Sequence, residues 1–191
     1  MTERRINNIA LVGFMGTGKT SVGRALASML RFDFWDTDDL VERRAGKSIS
    51  AIFADDGEPA FRKLECDVLE EVGTMQRAVI ATGGGLITHS DNLVRLKACA
   101  LVACLWASPD AIWNRVRQQS HRPLLNTPDP VHRIRELLNQ RQGFYRQADI
   151  LINAEVRSIR QVAQQIEHQF RMMQSQEKSR EGKNPEPRRR T

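Results

Sequence analysis

The stretch Ile9-Ala10-Leu11-Val12-Gly13-Phe14-Met15-Gly16-Thr17-Gly18-Lys19-Thr20 decides the fold. An apolar run of strand length ends at Gly13. Gly13–Thr20 then matches G-x-x-x-x-G-K-[ST] at every fixed position. Val22, Leu26, Met29 and Leu30 recur at helical spacing over Lys19–Leu30. Strand, glycine loop and helix in this order make a phosphate loop. Its glycines let successive backbone N–H groups turn toward phosphate oxygens, and the helix N-terminus adds a favourable dipole. Lys19 supplies charge between β- and γ-phosphates, and the Thr20 hydroxyl is placed to ligate Mg²⁺. Gly16, Thr17, Gly18 and Ser21 complete the expected nucleotide cradle. ATP or GTP with magnesium is the expected ligand. The loop alone does not separate a small-molecule kinase from a GTPase or a motor.

Further along, strand-like runs alternate with amphipathic helical stretches. The runs are Phe32–Trp35, Ala78–Ala81, Ala100–Trp106 and Ile150–Ile152. Helical patterns lie near Glu58–Val72, Ser90–Lys97, Pro109–Gln118, Pro130–Gln147 and Ser158–Met173. Continuously apolar strands between helices predict a doubly wound α/β domain: five parallel strands with helices on both faces. Asp36–Phe61 inserts extra helical turns, and Gln118–Pro130 is polar and proline-bearing, like a mobile loop. No internal repeat is visible.

The 191 residues carry Lys+Arg 29 against Asp+Glu 23, a net charge of +6. That length suits one domain, here 1–175. The longest apolar runs, such as Ala98–Ala107, fall short of the ~20 residues of a membrane span. Glu3, Arg4 and Arg5 before a short strand do not read as a signal peptide. Cys66, Cys99 and Cys104 lack C-x-x-C spacing and fit reduced thiols in a cytoplasmic protein. A basic balance raises nucleic acid as a partner. Half of it, however, lies in residues 176–191, where six basic residues face three acidic ones and no apolar residue occurs. That segment reads as a disordered tail.

Two acidic positions and a triple glycine narrow the chemistry. The chain has no Asn-Lys-x-Asp motif, so a GTPase is disfavoured, and no acid ends the third strand as a Walker-B aspartate would. That strand runs instead into Thr82-Gly83-Gly84-Gly85, which suggests close approach of backbone to a ligand. The second strand ends Asp36-Thr37-Asp38-Asp39. Asp36 and Asp38, two apart on an extended segment, would share a face, one near the metal and one near a substrate hydroxyl. Asp39 is expected to cap the next helix. Arg62 could fork onto a substrate carboxylate, although a solvated helix arginine is the simpler reading of that residue alone. Trp35, Trp106 and Trp113 read as core or partly buried packing. His89, His132 and His168 lack a metal-ligand cluster.

Taken together, these motifs resemble the shikimate kinases, P-loop kinases similar to nucleoside monophosphate kinases. The likeness runs from about Asn8 to Phe170. It adds Phe61-Arg62-x-x-Glu65, Arg122-Pro123-Leu124-Leu125, and Arg141 four residues before Tyr145. The resemblance implies a monomeric cytoplasmic enzyme that transfers the ATP γ-phosphate to the 3-hydroxyl of shikimate, with Mg²⁺, in aromatic amino acid biosynthesis. It implies a substrate-binding insert at about 37–65 and a lid at about 117–129. Asp38, Arg62, Gly83, Gly84, Gly85 and Arg141 would hold shikimate. Arg122 would be the lid arginine over the ATP phosphates, Arg115 and Arg157 would lie near the adenine, and Asp36 would organise Mg²⁺ through water. Lys19, Asp38 and Arg122 would carry catalysis. The six cationic residues of this site, less Asp36 and Asp38, amount to +4. The basic balance is thus a tail and a cleft, with no specific nucleic-acid partner. A gluconate kinase is the nearest rival reading. A non-catalytic nucleotide- or nucleic-acid-binding protein is the rival from another class.

Overall fold

The computed structural model describes residues 4, 6–88, 90–117, 125 and 127–181. Five strands, β1 (Asn8–Val12), β2 (Asp33–Asp36), β3 (Ala78–Ala81), β4 (Ala100–Trp106) and β5 (Ile150–Asn153), form one sheet in the order β2-β3-β1-β4-β5. All four pairings are parallel. Chain connections leave β1 toward β2 and leave β4 toward β5. The strand order therefore reverses between β1 and β4, and the carboxyl ends of these strands frame a crevice there.

Alternation along the strands divides the core in two. Ala10, Val12, Ile80 and Val102 face one layer with Val41, Ile52, Val68 and Leu96. This layer belongs to α2 (Thr37–Ala45), α3 (Ile49–Asp55), α4 (Gly57–Thr74) and α5 (Ser90–Cys99). Ile9, Leu11, Val79 and Leu101 face the other, against Leu26 of α1 (Lys19–Leu30) and Ile166 and Phe170 of α8 (Ile159–Glu181). Both faces of β1 are buried, which is why its residues are apolar without alternation. A third, smaller cluster joins α6 (Pro109–Val116) to α7 (Pro130–Tyr145) through Ile112, Val116, Leu125 and Ile134.

The predicted fold class therefore holds, and the helical insert after β2 consists of α2 and α3. Two details differ. The last helix continues to Glu181, so residues 176–181, read as the start of a tail, are helical. Gln, Glu, Lys and Arg are good helix formers, and extending an existing helix needs no new nucleus. Trp106, expected to pack, ends β4 with 44% of its surface exposed. Most of the lid segment, including Arg122, lies outside the described residues, as do His89 and the last ten residues of the chain.

Candidate functional site

The phosphate loop is built from close approaches. Gly13 leaves β1 at φ +134°, and a Cβ there would stand 2.2 Å from the Leu105 carbonyl oxygen. Gly16 has φ +74°, and its missing Cβ would meet Val116 Cγ1 at 2.5 Å. Thr17 is buried and donates to the Phe14 carbonyl at 2.8 Å, closing the turn. The N-terminus of α1 has Gly18 as its cap and no side-chain capping bond, whereas α2, α3, α6 and α7 are capped by Asp36, Ser48, Ser108 and Asp129. The loop thus presents the first-turn N–H groups of α1 to a ligand. Lys19 Nζ curls back and donates to the carbonyls of Gly13 and Phe14, each at 2.9 Å.

Asp36 couples this loop to β2. Its Oδ2 accepts from the Thr20 hydroxyl at 3.0 Å, and its Oδ1 accepts from the Asp38 backbone N–H at 3.1 Å. The cap of α2 is therefore Asp36, not Asp39 as expected. The helix begins at Thr37, which already puts Asp39 inside its first turn. Asp38 is helical too, so its shared outlook with Asp36 comes from the helix start and not from an extended strand. Both carboxylates nevertheless line one cavity of about 320 Å³, with Gly16, Gly18, Lys19 and Thr20 opposite. Ser21, Gly84 and Arg115 border the same cavity.

The triple glycine forms its far wall. Gly83 N–H donates to Thr37 Oγ1 at 2.9 Å. A Cβ on Gly83 would lie 2.5 Å from Asp38 Oδ1, one on Gly84 would lie 3.3 Å from the Met15 nitrogen, and one on Gly85 would lie 3.5 Å from Arg62 Nη1. Side chains here would intrude on the aspartate, the phosphate loop and the arginine in turn. The Gly84 carbonyl accepts from Arg141 Nη1 at 3.2 Å and from Tyr145 Oη at 3.1 Å. Burial pushes the Tyr145 phenol up to about 12, against the opposing pull of Arg141, so it stays protonated and able to donate.

Arg62 is held on two sides. Its Nη1 donates at 2.6 Å to Glu65, which is only 3% exposed, and its Nε and Nη2 donate to Glu58 at 3.1 and 2.8 Å. A guanidinium has five N–H groups. One hydrogen on each terminal nitrogen remains, a fork suited to a carboxylate. From sequence, Glu65 and Tyr145 entered only as parts of motifs, with no role assigned, and Glu58 was not singled out. Their signal was spacing: three and four residues from Arg62, and four from Arg141.

Two of the expected nucleotide residues separate. Arg115 donates to the Ala154 carbonyl at 2.7 Å and the Gly16 carbonyl at 3.3 Å, tying the loop after β5 to the phosphate loop. Arg157 is exposed, donates to the Asn153 carbonyl at 3.1 Å, and does not border the cavity. No group of three or more potential metal-ligating His, Cys, Asp or Glu residues occurs among the described residues. Thr20 and Asp36 do offer the hard oxygen donors that suit Mg²⁺, which takes few protein ligands and keeps its other positions for water and phosphate. Cys104 is deeply buried, its thiol pushed up to about 12 by desolvation, and is no nucleophile.

A family model described as shikimate kinase matches residues 15–171. A shikimate kinase of Thermodesulfovibrio yellowstonii is 44% identical over 161 residues, 84% of this chain and 93% of its own. The structure of shikimate kinase from Acinetobacter baumannii in complex with shikimate superposes with a TM-score of 0.82 at 37% identity, over 91% of this chain and 96% of that one. A gluconokinase from Sinorhizobium meliloti reaches a TM-score of only 0.57 at 14% identity, over 89% of this chain and 95% of that one, a likeness of fold alone.

Proposed function

The chain belongs to the shikimate kinase family and is an ATP-dependent phosphotransferase that acts on the 3-hydroxyl of shikimate, and from that premise we propose how its residues divide the work. Shikimate sits against the Gly83–Gly85 turn, its carboxylate on Arg62 and Arg141 and its hydroxyls on Asp38. The ATP phosphates lie in the loop Gly16–Ser21, with Lys19 turning from the Gly13 and Phe14 carbonyls onto them. The carrying observation is the convergence at the triple glycine. One short turn touches Asp38, Arg62, Arg141 and the phosphate loop, so a hydroxyl held there faces a phosphate held beside it.

Transferring the γ-phosphoryl group demands mainly positioning and charge stabilisation, because its transition state is loose. Lys19 balances charge on the phosphate oxygens. Asp38 orients the attacking hydroxyl and accepts its proton as the bond to phosphorus forms. Asp36 and Thr20 would hold Mg²⁺, Asp36 through water; the ion supplies charge neutralisation at the phosphates when bound. Arg122 would close over the phosphates and exclude water, on the strength of the Arg-Pro-Leu-Leu resemblance. Arg115 would border the nucleotide and Arg157 the adenine. The enzyme would act as a cytoplasmic monomer of one domain; no helix of the described residues is long and apolar enough to cross a membrane.

The test is ATP turnover with and without shikimate, and with gluconate. ADP release that depends on shikimate and ignores gluconate is expected. Equal turnover with gluconate would overturn the assignment. Arg122→Ala should lower kcat by about 10³-fold, the scale of an arginine finger, with a small change in shikimate KM.

A further inference from the structure

A second concavity lies along α7. It has a volume of about 600 Å³ and runs between α7 and the uncovered ends of β4 and β5. Trp106 and Leu151, 44% and 49% exposed, form an apolar floor with Leu138. The rim is different. Arg135, Asn139, Gln142 and Arg146 fall at spacings of three to four residues and present one stripe of α7. No carboxylate borders the groove among the described residues. Among the described residues, neither the Arg135 nor the Arg146 guanidinium has a hydrogen-bond or ion-pair partner. The other arginines of α7 are engaged: Arg133 with Glu136, and Arg141 with Gly84 and the Phe14 ring. Two unpaired cations therefore bracket an apolar trough, eleven residues or about 16 Å apart along the helix.

We propose that this groove docks a short extended segment of a partner protein with acidic residues bracketing apolar ones. Charge decides the occupant. A second copy would bring arginine against arginine, and residues 176–191 of this chain carry +3. Length decides the form. Five extended residues set their end Cα atoms about 13 Å apart, so two acids there reach the two arginines through their side chains while the residues between lie on Trp106 and Leu151. A small ligand with one anionic group reaches a single arginine. Tyr145 borders this groove and also donates to the Gly84 carbonyl, so the groove and the substrate turn share one residue.

The probe is a fluorescein-labelled peptide, Asp-Leu-Tyr-Leu-Asp, titrated with the full chain at low salt and read by anisotropy. Saturable binding is expected, unaffected by ATP. The double variant Arg135→Glu/Arg146→Glu should weaken it at least about tenfold, and should instead bind Lys-Leu-Tyr-Leu-Lys. Trp106→Ala should weaken both pairings. Phosphoryl transfer by the double variant without peptide should equal that of the parent, which verifies folding apart from docking. Absence of saturable binding, competition by ATP, or failure of the charge swap in a variant of normal activity would each overturn the proposal. So would loss of binding through one arginine alone with equal binding of 1-naphthoate, the signature of a small-ligand pocket.

Discussion

At the scale of single residues, the site turns on what stands where a side chain could have been. Gly83→Ala would drive a methyl into Asp38 Oδ1, 2.5 Å away, and displace the carboxylate proposed to orient the acceptor. We expect kcat to fall at least about 10²-fold, as for a misplaced reacting group, with ATP affinity unchanged by fluorescence titration. Asp38→Asn should give the same split more fully, no transfer with ATP still bound; retained turnover would remove Asp38 from the mechanism. Glu65→Gln tests the support of Arg62. Replacing a buried charge-assisted bond costs about 1.5–3 kcal/mol. The variant should raise shikimate KM about tenfold with a smaller effect on kcat. These consequences were unevenly legible in sequence. Lys19 and the glycines announce themselves, because phosphate binding demands those residue types in fixed order. Glu65 does not, because a glutamate three residues after an arginine is common on solvated helices. Only its burial against Arg62 distinguishes it from such a glutamate.

At the scale of elements, α7 is the part whose loss would be most informative. It carries Arg141 and Tyr145 one turn apart, both donating to the same carbonyl. Tyr145→Phe removes one donor and keeps the ring in the core. It should cost about 1 kcal/mol of stability, a fall of roughly 2–4 °C in melting temperature for a chain of this size. It should also raise shikimate KM, because Arg141 is then the remaining side-chain donor to the Gly84 carbonyl among the described residues. An unchanged KM with a lowered melting temperature would restrict Tyr145 to packing. Element type was readable from periodicity, and all five strands fall within one or two residues of expectation. Boundaries were less so. Asp36 takes the cap that Asp39 was expected to hold. Four consecutive residues, Asp36-Thr37-Asp38-Asp39, offer three carboxylates and a hydroxyl for one cap, and pattern alone cannot choose among them. Tertiary context chooses: Asp36 also takes the Thr20 hydroxyl, a contact sixteen residues away.

At the scale of the whole molecule, charge that looked global resolves into paired and purposeful groups, and one pairing controls acid stability. Arg4, ahead of β1, grips Asp149, ahead of β5, through both terminal nitrogens, and reaches the carbonyls of Lys97 and Ala100 between them. Asp149 also accepts from the Val102 N–H at 2.8 Å and faces Lys97 at 3.3 Å. The clamp joins the amino-terminal ends of β1, β4 and β5, the side of the sheet opposite the active site. Burial alone would raise the Asp149 pKa. The hydrogen bonds from Arg4 and Val102 and the charges of Arg4 and Lys97 outweigh it and hold the group below its ordinary 3.8. A carboxylate depressed in the folded state binds protons more readily when unfolded. Its contribution is therefore complete above about pH 4, the unfolded value, and disappears as pH falls through the folded one. Asp149→Asn should lower the melting temperature by several degrees at pH 7, where the native charge contributes in full. The gap between parent and variant should close progressively below pH 4, once the parent's carboxylate is protonated as well. Arg4→Gln should reproduce much of this loss through the same partner, and the double variant should lose less than the sum of the two. A melting-temperature gap that stays constant from pH 7 to pH 3 would show that Asp149 acts through packing and its backbone bond to Val102, with no part for its charge.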